Sequence, residues 1–257
     1  MPFILSDDSC EIYYEVTGSG PAIALISGFM GITEIWRAQV DLLAEKFQCI
    51  TFDTRGAGRS DKPIPNGPYG VDRHAQDLAI VLDAVGVDKV LLIGHSMGGN
   101  IACEYFQSNS ERVCGIVFIG SYVSGKQIDG VGNTLDRVTS AVTKKSERID
   151  FYRNVGLPDH IAIEATKWPL YALLGNAKSF MTFDGSEGLK KISVPCLVVH
   201  GSEDVVSPYD PCAIGLIKAL PNVESLLLDG VNHCPMVERP DLTNARITQY
   251  IDQQIAW

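Results

Sequence analysis

The chain has 257 residues, 46% hydrophobic and 20% charged, a length and composition that suit one large globular domain and exclude a disordered chain. Its 21 Lys and Arg against 31 Asp and Glu leave a formal charge of −10, which opposes phosphate backbones and anionic bilayers, so neither nucleic acid nor membrane is expected as a partner. The longest apolar run, Val113 to Gly120, has only strand length, and the segment from Met1 to Asp8 lacks the cationic and apolar regions of a secretory signal, so a cytoplasmic protein is expected.

Along the chain, Phe3–Leu5 is followed by Glu11–Val16, whose polar and apolar residues alternate, and the two are expected to pair as an antiparallel edge. Short apolar runs bounded by Gly, Pro or Asp then recur at Ala22–Ile26, Gln48–Phe52, Lys89–Ile93, Val113–Ile119, Pro195–His200 and Val223–Leu228. They read as buried strands. Helical periods lie between them, with Ile35, Val40, Leu43 and Phe47 in one and Leu78, Val81, Leu82 and Val85 in another. Strand alternating with helix predicts an α/β fold: a mostly parallel, twisted sheet of about eight strands flanked by helices.

The stretch from Gly120 to Ser193 breaks this rhythm, because it contains no convincing strand and is too long for a plain loop. Leu135, Val138 and Val142 recur at helical spacing, and Pro158 and Pro169 punctuate a second apolar stretch holding Ile161, Trp168, Tyr171 and Leu174. We read residues 120–193 as a helical lid inserted into a core made of 1–119 and 194–257, the rival reading being two more helices on the sheet. Seven cysteines, four of them (Cys49, Cys103, Cys114 and Cys196) in apolar or helical segments, point to reduced thiols. No CxxC or Cys/His ligand spacing occurs, so no metal is expected.

The strongest local signal is Gly94-His95-Ser96-Met97-Gly98-Gly99, directly after the strand at Lys89–Ile93 and directly before the helical segment at Asn100–Phe106. This is a G-x-S-x-G in strand–turn–helix context. Turning within one residue forces Ser96 into strained backbone geometry, and only small neighbours at Gly94 and Gly98 let the arms pass. The hydroxyl then stands at a helix N-terminus, where free N–H groups favour developing negative charge.

A serine needs a base, and the base needs an orienting group. Asp204 follows the strand at Pro195–His200, and His233 follows the strand at Val223–Leu228, which places both at the same edge of the sheet as Ser96. The order Ser, Asp, His agrees with a nucleophile elbow and its partners. Glu203 competes with Asp204 as orienter. His95 is expected to point away from the serine in a structural role, while His200 has a smaller claim to touch the site. His74 and His160 are expected to be solvated, and Cys234 to serve packing. The Gly56-x-Gly58 pair lacks the third glycine of a dinucleotide loop. Trp36, Trp168 and Tyr171, with other aromatics of the insertion, are candidates for an apolar substrate pocket, and Arg55, Arg59 or Lys167 for local binding of a carboxylate.

On these motifs the chain resembles the α/β-hydrolase superfamily over nearly its whole length. Ser27-Gly28-Phe29 after the first buried strand, Asp53-Thr54-Arg55-Gly56-Ala57-Gly58-Arg59-Ser60 after the second, and Glu238-Arg239-Pro240 after His233 add to the likeness. Within the superfamily the chain is similar to enol-lactonases of the 3-oxoadipate type, small carboxylesterases and cofactor-free haloperoxidases. The resemblance implies a serine hydrolase of esters or lactones with a small-molecule substrate and no cofactor. It also implies that the oxyanion donors are the backbone N–H groups of Phe29 and Met97. Ser27 departs from the His that many relatives carry there, which alters the support of that loop. Carbon–carbon bond hydrolases, thioesterases and perhydrolases share the same three residues and stay open, as does a small-molecule receptor with slow turnover. Haloalkane dehalogenases and epoxide hydrolases, which use aspartate at the elbow, do not fit Ser96.

Overall fold

In the computed structural model, which describes residues 2–64 and 67–257, the apolar runs become eight strands of one sheet. In chain order they are β1 (Phe3–Leu5), β2 (Glu11–Thr17), β3 (Ala22–Ile26), β4 (Gln48–Phe52), β5 (Val90–His95), β6 (Val113–Ile119), β7 (Cys196–Gly201) and β8 (Val223–Leu228). They lie side by side as β1-β2-β4-β3-β5-β6-β7-β8. β1 with β2 and β2 with β4 are antiparallel, and every later pairing is parallel.

Successive side chains of a strand point to opposite faces, so the continuous apolar runs supply two cores. Ile26, Leu92, Phe118 and Val198 face one way, and Leu25, Ile93, Val117 and Val199 the other. Helix α1 (Arg37–Leu43) covers the second face, while α2 (Val71–Val85) and α3 (Met97–Asn109) cover the first through Leu78, Leu82, Ile101 and Phe106. Gly86, at φ 76°, ends α2 in the left-handed conformation that closes many helices.

Between β6 and β7 stand α4 (Gly125–Gly130), α5 (Leu135–Thr143), α6 (Lys145–Asn154), α7 (Asp159–Ala165), α8 (Leu170–Thr182) and α9 (Ser186–Leu189). The segment is stapled where it leaves and returns: Gly125 N–H donates to Phe183 O at 2.9 Å and Gly185 N–H to Val123 O at 3.0 Å. Asn176 of α8 ties it to the sheet side, its Oδ1 2.7 Å from His74 Nε2 and its Nδ2 donating to Arg55 O at 3.1 Å. His74 is therefore fully buried, not solvated, because α8 covers the face of α2 that carries it; His160 is exposed.

After β7 the chain forms α10 (Ile214–Ala219), and after β8 it forms α11 (Pro235–Glu238) and α12 (Pro240–Gln254), whose Ile247 and Tyr250 complete the second core. No helix among the described residues is long and apolar enough to cross a membrane. The ends of β3, β5, β6, β7 and β8 all open at one edge of the sheet, where parallel α/β sheets place their ligands.

Candidate active site

β5 ends at His95 and α3 begins at Met97, leaving Ser96 alone to make the turn at φ 53° and ψ −121°. A non-glycine residue there costs on the order of 1–3 kcal/mol and persists only when its surroundings hold it. Those surroundings are glycines. A Cβ on Gly94 would fall 2.4 Å from Gly98 O, and a Cβ on Gly98 would fall 2.1 Å from Ile26 O at the end of β3. The two glycines thus let the serine turn pass over the neighbouring strand as well as over itself.

Asp204 sits in the turn after β7, fully withdrawn from water at its carboxylate. Its Oδ1 accepts the N–H groups of Val206 and Ser207, each at 2.8 Å, and its Oδ2 lies 2.8 Å from His233 Nδ1. Burial alone would raise the Asp204 carboxyl. The charge of His233 and hydrogen bonds from His200 and His233 outweigh it and hold the group well below the usual carboxylate range. Glu203 is exposed and takes no part.

Two further side chains complete this anchor, and sequence reasoning gave one a minor claim and missed the other. His200, fully buried, donates from Nε2 to Ser207 O at 2.6 Å and lies 3.2 Å from Asp204 Oδ2. Ser207 Oγ reaches Gly120 O at 2.9 Å and Asp204 Oδ2 at 3.0 Å, and lies 3.4 Å from His233 Nδ1. The carboxylate is thereby fixed from three sides.

His233 is held at its backbone as well. Glu238 receives the N–H of Asn232 on one carboxylate oxygen and that of Cys234 on the other, both at 2.9 Å. His95 does not point away: its ring lines the cavity with Ser96 and His233. Its Nε2 donates to the His233 carbonyl at 3.0 Å, the two rings standing 4.8 Å apart. Its role is still to hold structure. Cys234 packs with its sulfur 3.9 Å from His95 Nε2, and burial pushes its thiol well above its ordinary range.

Ser96 and His233 line one cavity. No hydrogen bond joins their side chains among the described residues, as is common in unliganded enzymes. With Nδ1 committed to Asp204, Nε2 is the nitrogen available for proton transfer.

Across from the elbow, β3 runs into Ser27-Gly28-Phe29. A Cβ on Gly28 would meet Ser96 Cβ at 2.8 Å, so glycine lets this loop lie directly against the serine. Ser27, buried, accepts the Trp36 indole N–H at 3.1 Å and donates to Ile32 O at 3.2 Å. The loop is therefore braced by the Ser27 hydroxyl. Neither Phe29 N–H nor Met97 N–H donates to a protein group among the described residues; the latter is a free donor of the first turn of α3.

The cavity over Ser96 measures about 50 Å³ and its walls are mostly apolar, with Phe29, Tyr122, Phe151, Tyr152, Val155 and Phe180 prominent. Trp36, Trp168 and Tyr171 are not among its walls, which corrects the sequence expectation. Trp36 is spent bracing Ser27, and Trp168 is buried in the second core. Tyr171 donates to Lys62 O at 2.9 Å and lines a separate outer groove of about 840 Å³. None of the cations expected for carboxylate binding reaches the cavity either. Arg55 is buried against Asp77 and Asp8 at 2.7 Å each, Arg59 lies over the Tyr13 ring among Glu15, Glu34 and Asp53, and exposed Lys167 pairs with Glu164.

Two buried imidazoles give the fold a pH signature. Burial lowers His74 from its ordinary 6.5 to about 4, and burial with the neighbouring charge of His233 lowers His95 to about 3. Both rings are kept neutral in the fold, so between these values and 6.5 the unfolded chain binds more protons and stability must fall with pH. Each ring contributes about 1.4 kcal/mol per pH unit in that window. We expect unfolding free energy from urea melts to be level above about pH 6.5 and to drop by on the order of 2–3 kcal/mol per unit on acidification to about pH 4. A flat profile there would show that the rings are protonated in place. Asp204 acts in the same direction at lower pH, its contribution being lost below the ordinary carboxylate range.

Comparison with known proteins agrees with this architecture. The family model described as alpha/beta hydrolase fold matches residues 21–160. A protein of Azorhizobium caulinodans named as a carbamate hydrolase, RutD, is 28% identical over 98% of this chain and 100% of its own length. Among solved structures, a bromoperoxidase from Bacillus anthracis superposes with TM-score 0.87 at 24% identity, covering 95% of this chain and 96% of its own. An esterase from Exiguobacterium antarcticum gives TM-score 0.86 at 21% identity, covering 98% and 99%.

Proposed function

Since the chain belongs to the α/β hydrolase fold family and is a hydrolase of that fold, we propose that it cleaves an ester or lactone of a small, partly apolar substrate through an acyl-enzyme on Ser96. In this reading Ser96 Oγ attacks the carbonyl carbon while His233 Nε2 takes its proton, and Asp204 holds the Nδ1–H that fixes the productive tautomer. The carbonyl oxygen, now negative, is received by the N–H groups of Phe29 and Met97, each such donor contributing about 10²–10³ in rate. The C–O bond then breaks and the alcohol leaves with the proton from His233. Water repeats the sequence in reverse roles and frees the acid and Ser96.

The observation that carries this reading is the 2.8 Å contact between Asp204 Oδ2 and His233 Nδ1 at the rim of the cavity that holds the strained Ser96. One water needs roughly 10–15 Å³ of such space, so a cavity of about 50 Å³ suits a small acyl group. The absence of Lys and Arg among its described lining residues favours an uncharged acyl part. A carbamate is a second reading, favoured by the relative named as a carbamate hydrolase, and needs the same attack on a carbonyl carbon. A panel of short p-nitrophenyl esters, lactones and p-nitrophenyl carbamates tests both: rapid multiple turnover of one class selects it. Turnover of none above about one per minute, with a ligand-dependent thermal shift instead, selects a receptor.

A further inference from the structure

One turn of the segment between β6 and β7 reaches both loops that flank Ser96. At the end of α6 the Tyr152 hydroxyl donates to Met30 O, in the loop that carries Phe29. Two residues on, the Asn154 carbonyl accepts the Asn232 side-chain N–H at 2.6 Å, beside His233. Two residues further, Gly156 lies so close to Glu238 that a Cβ would fall 2.6 Å from its carboxyl carbon. That carboxylate is the one gripping the N–H groups on either side of His233.

These contacts bear on geometry that needs support. Met30 is a non-glycine residue at φ 59°, a conformation that holds only when its surroundings determine it. Its carbonyl takes the Tyr152 hydroxyl, and that hydroxyl, on a side chain 1% exposed, would be an unpaired buried donor without it. The interaction therefore fixes the Met30–Gly31 peptide, which closes the tight turn around Phe29 through Gly31 N–H to Gly28 O at 2.9 Å. Asn154 holds the histidine loop through its bond from Asn232, and Gly156 leaves just enough room for the Glu238 carboxylate.

We propose that residues 152–156 are a positioning element that sets the loop of Phe29 and the loop of His233 against Ser96, with Tyr152 as the positioning residue for the Phe29 N–H. The proposal rests on the serine-hydrolase reading above. It makes the seating of the helical segment and the assembly of the reacting groups one event, so the segment completes the machinery as well as walling the cavity.

Tyr152→Phe in the full chain removes the hydroxyl and keeps the ring that lines the cavity. With a short p-nitrophenyl ester, kcat should fall about 10- to 100-fold, less than for loss of a whole donor, while KM stays within about twofold. Affinity for a trifluoromethyl ketone, whose serine adduct needs the oxyanion donors, should weaken by the same factor as kcat/KM. Unchanged kcat and inhibitor affinity would overturn the proposal, as would a rise in KM alone, the mark of a mere wall. If that variant fails to fold, Gly156→Ala presses on Glu238 from the same turn, in addition to straining its own backbone at φ 85°. It should lower kcat and displace the acid limb of the kcat/KM pH profile, and an unmoved limb with wild-type kcat would overturn the proposal. A wild-type chain that turns over no ester, lactone or carbamate in a Ser96-dependent way defeats the hydrolase reading itself, and this inference with it.

Discussion

Ser96→Ala is expected to cut turnover of an activated ester by at least about 10⁴-fold, toward the residual rate that oxyanion donors and binding alone provide. Labelling by a serine-directed phosphonate should be lost with it. The substitution removes one oxygen from a residue whose backbone is held by Ser96 N–H to Ile119 O at 2.8 Å and by the close passage of Gly94, Gly98 and Gly28. Alanine at φ 53° carries the same strain as serine, because both have a Cβ. The fold should therefore melt within a few degrees of the wild type, and loss of activity cannot be ascribed to unfolding. Wild-type turnover by the alanine variant would remove Ser96 as nucleophile and leave the elbow as a tight turn.

Why this residue could be singled out from sequence is a matter of range. The elbow is a local feature: its strand, turn, glycines and helix lie within a few residues of one another, and each constrains the next. The strands were legible for the same reason, since a buried parallel strand is apolar throughout and bounded by turn residues, as at Val113–Ile119. The candidate acid and base could be named because every parallel strand ends at one rim, so a residue just past β7 or β8 is placed without knowing its contacts. What could not be read were contacts chosen by packing. Trp36 and Tyr171 carry the same apolar signal whether they face a cavity or another element, and here one braces Ser27 while the other bonds Lys62 O. His74 lies on a helix whose polar face is covered by α8, through an Asn176 that is a hundred residues away in sequence. Ser207 escaped notice, and Glu238 was seen only as part of the likeness after His233 and not as a contact, because a serine or glutamate near a loop is ordinarily solvated. Their one sequence signal is position, three residues after Asp204 and five after His233.

Asp204→Asn is expected to lower kcat by about 10⁴-fold with little loss of substrate affinity, and the cause lies in proton placement rather than charge alone. Asp204 uses both oxygens: one accepts the N–H groups of Val206 and Ser207, the other faces His233 Nδ1, with His200 Nε2 3.2 Å away. Asparagine has one acceptor oxygen. Two backbone donors claim it, so its NH₂ group is turned toward His233. Nδ1 must then accept, the ring proton moves to Nε2, and the nitrogen available to Ser96 can no longer take a proton. Exposed Glu203 cannot substitute, since it lies outside this network. Because the imidazole would be in the wrong tautomer and not merely less basic, raising the pH to 9 should restore no more than part of the loss. If Asp204→Asn instead keeps more than about a tenth of wild-type kcat, His233 takes its orientation from its backbone, gripped by Glu238 and His95, and the carboxylate serves only to anchor the β7 turn.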